Sequence, residues 1–340
     1  MYHWSPLPRT MVATLRDAAH PKANVRLSAV ADLARWALDA EGSVCLARLL
    51  ELLERDTDLE VRAAVALALA DARAKGSVPA LLRASGSSEP RLRQMALIAL
   101  GELAEPGDTA AVAALSAASE SDAPALRFQA LVAAGRLLPR AELSAWLERA
   151  LGDAEGKLRY IACRLIEEKF FSSPDVDEST RATWAGRLAV CLADGELEVA
   201  VAAALLLAPR GSEAARARLV DALNRSRSFQ HPEDEQAAIE MCAELGLHGA
   251  SPGLRARAFG RASALAFQAR VALARLGDER ARRHILRGLS SFRRSVRAQC
   301  VAAAGLARLE AARPRLLELW RAARDADRQS LADALLELDR

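Results

Sequence analysis

The chain has 340 residues, 51% of them hydrophobic and 27% charged, with a formal net charge of +3. This composition supplies ample apolar material for a core and excludes a disordered chain, and 18 glycines and 13 prolines exclude a collagen-like or low-complexity one. Five cysteines without a Cys-x-x-Cys pair exclude a disulfide scaffold and the usual zinc modules; read as small core residues, they imply a reducing, cytoplasmic setting.

Met1 to Thr10 lacks the basic start and apolar stretch of a secretory signal, and residues 1–11 read as an N-terminal extension. The strongest apolar run, Val199 to Pro209, is about half the roughly 20 residues that a membrane helix needs, so it predicts a buried helix and no membrane contact.

From residue 12 onward one phrase recurs: an aliphatic residue, then arginine, then an Ala/Leu-rich helical stretch. It appears at Val25-Arg26, Val61-Arg62, Leu92-Arg93, Leu126-Arg127, Leu158-Arg159 and Val296-Arg297. The first five arginines are 36, 31, 34 and 32 residues apart. Copies without the arginine follow at Val199-Ala200 and Leu265-Ala266, the latter aligned by Phe267-Gln268-Ala269 against Phe128-Gln129-Ala130. A loosely aligned unit lies between them around Ala237 to Gly246, and a last one places Gln329 at the arginine position. The total is about ten units.

Each unit divides into two helices. In the second, Val44 to Leu53 is apolar at helical spacing, and Thr57 with Glu60 reads as a capping box. Val61 to Ala74 forms the second helix, ended at Gly76. In the third, Pro90 opens a helix and Pro106-Gly107-Asp108 closes the unit. No alternating β-branched runs call for strands. One such hairpin cannot bury its apolar stripe, but a stack can, and the many alanines allow helix axes to approach closely.

The Val/Leu-Arg-x-x-Ala helix start after an acidic or small turn resembles HEAT repeats, especially the short bacterial repeats also found in phycobilisome-lyase-type proteins. The resemblance covers roughly residues 12 to 340. It implies an all-α fold, a right-handed α-α superhelix of about ten hairpins, irregular around 172–180 and 225–236. It also implies that the motif arginines pair with acidic turn residues of neighbouring units. A cation near a helix N-terminus opposes the macrodipole, so a recurring one calls for a compensating acceptor. Arg26, Arg62, Arg93, Arg127, Arg159 and Arg297 therefore read as a structural ladder, with Asp58, Asp122 and Asp153 as expected partners.

Charge is unevenly placed. Residues 251–300 carry 12 arginines and two acids, whereas residues 1–250 carry 28 basic and 35 acidic residues. Arg280, Arg283 and Arg287 share one face of a helix beginning near Glu279, with Arg293 and Arg294 in the following turn. These five are the expected contacts for an anionic partner. Few aromatics interleave with them, which disfavours base stacking; bound nucleic acid would be held by its backbone.

The chain has no Gly-rich phosphate loop, His-Glu-x-x-His or Gly-x-Ser-x-Gly motif. None of its five histidines has a His or Cys at helical ligand spacing, so no metal or cofactor is expected. His231 with Glu233, Asp234 and Glu235 reads as a solvated loop, and Trp36, Trp146, Trp184 and Trp320 read as packing anchors. The expected function is a non-enzymatic, cytoplasmic protein-interaction scaffold or regulatory subunit. The alternatives are a nucleic-acid-backbone-binding solenoid and, on the resemblance alone, an alkylpurine DNA glycosylase; scattered tryptophans argue against the latter.

Overall fold

The computed structural model describes residues 9–39, 42–225, 229–260, 264–323 and 325–339. Most of the expected extension over 1–11 lies outside the described residues, as do Ser226, Arg227, Ser228 and Arg261. The chain divides into two compact units, Met1–Lys169 and Phe170–Arg340.

Among the described residues the first unit contains five hairpins. They are α1 (Met11–Ala18) with α2 (Ala23–Ala37), α3 (Ser43–Arg55) with α4 (Leu59–Asp71), α5 (Val78–Ser85) with α6 (Pro90–Leu103), α7 (Thr109–Ser119) with α8 (Pro124–Leu137), and α9 (Arg140–Leu151) with α10 (Gly156–Ile166). The second unit contains five more: α11 (Glu178–Cys191) with α12 (Leu197–Leu207), α13 (Glu213–Asn224) with α14 (Pro232–Glu244), α15 (Ser251–Phe259) with α16 (Ala266–Arg275), α17 (Glu279–Gly288) with α18 (Arg294–Leu306), and α19 (Arg313–Ala322) with α20 (Asp325–Leu338). No strand occurs among the described residues. The fold is an all-α, HEAT-like α-solenoid architecture of helical hairpins, as the repeat predicts.

The local chemistry explains the helix starts. Thr10, Asp58, Asp108, Asp177, Ser212 and Asp278 each accept a first-turn amide, and proline opens α6, α8 and α14. The cap of α4 is Asp58, not Thr57: its carboxylate takes the Glu60 and Val61 amides, and an ionised acceptor suits a helix N-terminus better than a hydroxyl.

Even-numbered helices form the inner row. Within the first unit α2, α4, α6, α8 and α10 pack in succession, and within the second α12, α14, α16, α18 and α20 do so. Small residues set the separation. A Cβ added at Gly101 would lie 2.8 Å from the Ala133 Cβ, and one at Gly305 would lie 2.7 Å from the Ala334 Cα. Both glycines stand eight residues beyond a ladder arginine, Arg93 and Arg297 respectively. Gly101→Leu is expected to cost about 1–3 kcal/mol by forcing α6 and α8 apart, read as a lower thermal midpoint in circular dichroism.

Backbone geometry settles the repeat register. Arg73, Gly211, Gly246, Gly277 and Arg308 all have positive φ, between 49° and 88°. They lie eleven residues after Arg62, Ala200, Glu235, Ala266 and Arg297. This left-handed residue follows α4, α12, α14, α16 and α18 at a constant spacing. It fixes Ala266 in the predicted place and identifies Glu235 as the ladder position of the loosely aligned unit. In the last unit α20 starts at Asp325, so its fourth residue is Arg328, and Gln329 does not hold the ladder position. Arg328 Nε donates to the Ala323 carbonyl, five residues back, as Arg26 and Arg127 do at Pro21 and Asp122.

Both polar insertions are shorter than expected. Glu178 onward is already α11, and Pro232 to Glu235 is the first turn of α14, with Asp234 buried, not a solvated loop. Acidic side chains there meet the positive end of the helix. Every residue of α12 except Glu198 is buried. No helix among the described residues is long and apolar enough to cross a membrane. Trp184 is buried, whereas Trp320 is 42% exposed and is not a packing anchor.

Candidate functional site

The ladder arginines stand on the fourth residue of the inner helices and reach two kinds of acceptor. Arg26 donates through Nη1 to the carbonyls of His20 and Pro21, both at 3.0 Å, in the turn of its own hairpin. Its Nε and Nη2 hold the two Asp56 oxygens at 2.7 and 2.6 Å in the turn of the next hairpin. Arg127 repeats this, with Nη1 on Ser121 and Asp122 carbonyls and the opposite edge on Asp153 at 2.9 and 2.8 Å. Arg159 bonds the Asp153 and Ala154 carbonyls in the same way. The carboxylates of these rungs are Asp56, which the sequence reading did not name, and Asp153, which it did. Asp58 caps α4 and Asp122 gives Arg127 its carbonyl, while both carboxylates act on Arg26 and Arg127, respectively, through charge without a hydrogen bond.

These pairs are well compensated. The Arg127 hydrogen bonds hold Asp153 below the usual carboxylate range against the opposing effect of burial. Burial pushes Asp56 up, but Arg26 and the Asp58 amide outweigh it and leave the carboxyl lowered. One rung is reversed: Glu235 takes the arginine position, and Arg257 of the following hairpin grips it with Nε at 2.6 Å.

A second series escaped the sequence reading. In α11, α13 and α17 the capping residue is followed by Glu-x-x-Arg: Glu178 to Arg181, Glu213 to Arg216, Glu279 to Arg282. Each arginine pairs with that glutamate and donates to a carbonyl eight residues earlier, at Ser173, Ala208 and Ala274. The signal is a recurring Asp/Ser-Glu-x-x-Arg at the outer-helix starts.

Of the five arginines expected to meet an anionic partner, the structure brings three together. Arg280, Arg283 and Arg287 line one face of α17 and, with His284, Phe259, Gly288, Ser291 and Val296, a depression of about 530 Å³. The Arg280 guanidinium stacks 4.1 Å from the Phe259 ring centroid, and His284 meets the same ring edge-on at 6.0 Å. Among the described residues none of the three arginines has a carboxylate partner, while Arg255, Arg257 and Arg282 around them are paired with Asp278, Glu235 and Glu279. Burial and the nearby Arg270 and Arg280 lower the His284 pKa, which favours the neutral imidazole. Arg293 is exposed in the turn before α18. Arg294 does not belong to the open patch: it pairs with Asp327 at 2.7 Å.

Among the described residues no group of three or more His, Cys, Asp or Glu side chains is arranged to hold a metal ion. Glu167 and Glu168 lie in a π-helical turn, Glu167–Phe171, after α10.

Comparison with known proteins fits this geometry. No curated protein sequence matches the chain significantly. A homology model of the full-length AP-3 complex aligns with a TM-score of 0.60 at 14% identity, over 88% of this chain and 57% of the other. The YibA protein of E. coli aligns at 0.47 and 14% identity, over 91% and 95%. An importin beta crystal structure aligns at 0.49 and 14%, over 96% and 55%. The chain therefore spans little more than half the length of two of these. The family model for HEAT repeats matches residues 46–135. Those residues match HEAT repeats, and the helical hairpins along the chain share the α-solenoid fold.

Proposed function

We propose that this protein is a non-enzymatic, cytoplasmic protein-interaction scaffold that receives an acidic partner on the α17 face of its second unit. One observation carries the reading: Arg280, Arg283 and Arg287 converge on one depression without a carboxylate partner among the described residues, beside Arg255, Arg257 and Arg282, which are paired. Guanidinium groups left open in this way favour a partner that brings carboxylates, and their field speeds its approach. In the first unit, by contrast, acids are matched across hairpins, as in Arg91 with Glu60, Arg83 with Glu54 and Arg136 with Glu102. The AP-3 likeness supports the architecture, and extended hairpin stacks suit contacts spread over several repeats. Five buried cysteines, read as small core residues, fit a reducing compartment.

The test is charge reversal on α17. Wild-type protein is expected to retain a defined set of proteins from native lysate, in nuclease-treated and untreated samples alike. Retention should weaken with added salt. The triple variant Arg280→Glu, Arg283→Glu, Arg287→Glu should lose them, with affinity down at least about tenfold and helicity unchanged. Arg294 is left intact because reversing it would break the Asp327 pair. Retention that nuclease abolishes would instead favour nucleic acid, and retention indifferent to the triple change would remove α17 as the contact.

A further inference from the structure

Arg297, at the ladder position of α18, keeps the arrangement of Arg26 and Arg127 with one part missing. Its Nη1 donates to the Ser291 carbonyl at 2.7 Å, in the turn of its own hairpin. In the two complete rungs the opposite edge holds a carboxylate three residues before the next inner helix, Asp56 before α4 and Asp153 before α10. Before α20 that position is Ala322. No other described carboxylate takes its place, and Asp327 is engaged with Arg294. Absence of the acid does not by itself produce this geometry. Arg62 and Arg93 face Ser87 and Ser121, and Arg62 instead turns Nε to the Leu53 carbonyl, while Arg93 makes no side-chain hydrogen bond among the described residues.

The space beside Arg297 is also different. The grooves around the complete Arg26 and Arg127 rungs measure about 300 and 340 Å³. The one around Arg297 measures about 740 Å³. Val301, Leu319 and Leu331 line it, and Phe292, fully exposed at the α17–α18 turn, stands on its rim. A preset guanidinium edge beside apolar surface matches a ligand with one carboxylate and one adjoining hydrophobic group.

We propose that this groove binds a segment of a partner protein that presents an Asp or Glu carboxylate next to a large apolar side chain. The carboxylate takes the bidentate place on Arg297 that Asp56 and Asp153 take on Arg26 and Arg127. The apolar side chain lies against Val301, Leu319 and Leu331 and is covered by Phe292. This site adjoins the α17 depression at Ser291 but uses none of Arg280, Arg283 and Arg287.

The probe is a pool of fluorescein-labelled heptapeptides with Asp fixed at the centre and Leu, Ile or Phe on either side, measured by anisotropy on the full chain. A second pool carries Asn at the centre. The Asp pool should bind saturably, and the Asn pool at least about tenfold more weakly. Ala322→Asp restores the missing acid within the chain, so it should weaken the Asp pool at least about tenfold while the thermal midpoint stays or rises. Arg297→Gln should weaken it similarly, and if that variant folds poorly the exposed Ala322→Asp change still decides. The α17 triple variant should bind the Asp pool as wild type does, which separates this site from the α17 reading. Equal binding of the two pools, no saturable binding by either, or indifference to Ala322→Asp would overturn the proposal.

Discussion

Replacing Trp184 by alanine is expected to cost the second unit about 3–5 kcal/mol of unfolding free energy. The ring is 1% exposed and lies 4.9 Å from Phe170, with the Arg187 guanidinium 4.7 Å above it. Aromatics make up 4% of the chain, so its core is built mostly from alanine and leucine, and no neighbouring ring is large enough to refill the space. The loss should extend beyond one helix, because each hairpin in a stack leans on the next. Urea denaturation followed by far-ultraviolet circular dichroism measures the cost, and hydrogen exchange locates it. Protection should fall in α11 and α12, while the first unit keeps its own. Trp184→Phe should lose less, and an unchanged midpoint for Trp184→Ala would mean that the ring is not packed as described.

Asp56→Ala should destabilise the first unit by about 3–5 kcal/mol, because it leaves the Arg26 charge in place without its counter-ion. The two side chains are only 12% and 2% exposed. A double change to Arg26→Met and Asp56→Leu should recover much of the loss, since it removes both charges together. The pair also makes a pH prediction. The folded-state pKa values of Asp56 and Asp153 lie below the roughly 3.9 of an unfolded aspartate. Their contribution is therefore present above about pH 4 and is lost as pH falls through the lowered folded values. Thermal midpoints of wild type and Asp56→Ala should differ at pH 7 and converge under strongly acidic conditions. A gap that stays constant with pH would show that the carboxylate charge is not what Arg26 requires.

The helical hairpins were legible in the sequence because the aliphatic-arginine phrase marks six inner helices at the fourth residue, and because Pro90 opens a helix and Pro106-Gly107-Asp108 closes a unit. Even units lacking arginine could be placed, at Ala200 from the apolar pattern and at Ala266 from the match of Phe267-Gln268-Ala269 to Phe128-Gln129-Ala130. The identity of the rung partners was not legible. Asp56 and Asp58 are two residues apart on the same turn, and only backbone geometry decides which caps the helix and which reaches the previous hairpin. The reversed rung was hidden for a similar reason: a search for arginine passes over Glu235, although the slot and its long-range contact persist. In the candidate site the α17 face followed from helical spacing, whereas the engagement of Arg294 by Asp327 joins residues on different hairpins, and composition says nothing about that contact.

The reversed rung has a consequence for how the gene could have grown. Tandem repeats expand and contract by copying or deleting whole units, which is tolerated while every junction carries the same complementary chemistry. Glu235 facing Arg257 makes one junction of opposite sense. A unit cut out or duplicated at that point would leave Glu235 or Arg257 without its counter-charge. Lineages carrying this swap would be expected to conserve repeat number in the second half of the protein more strictly than in the first.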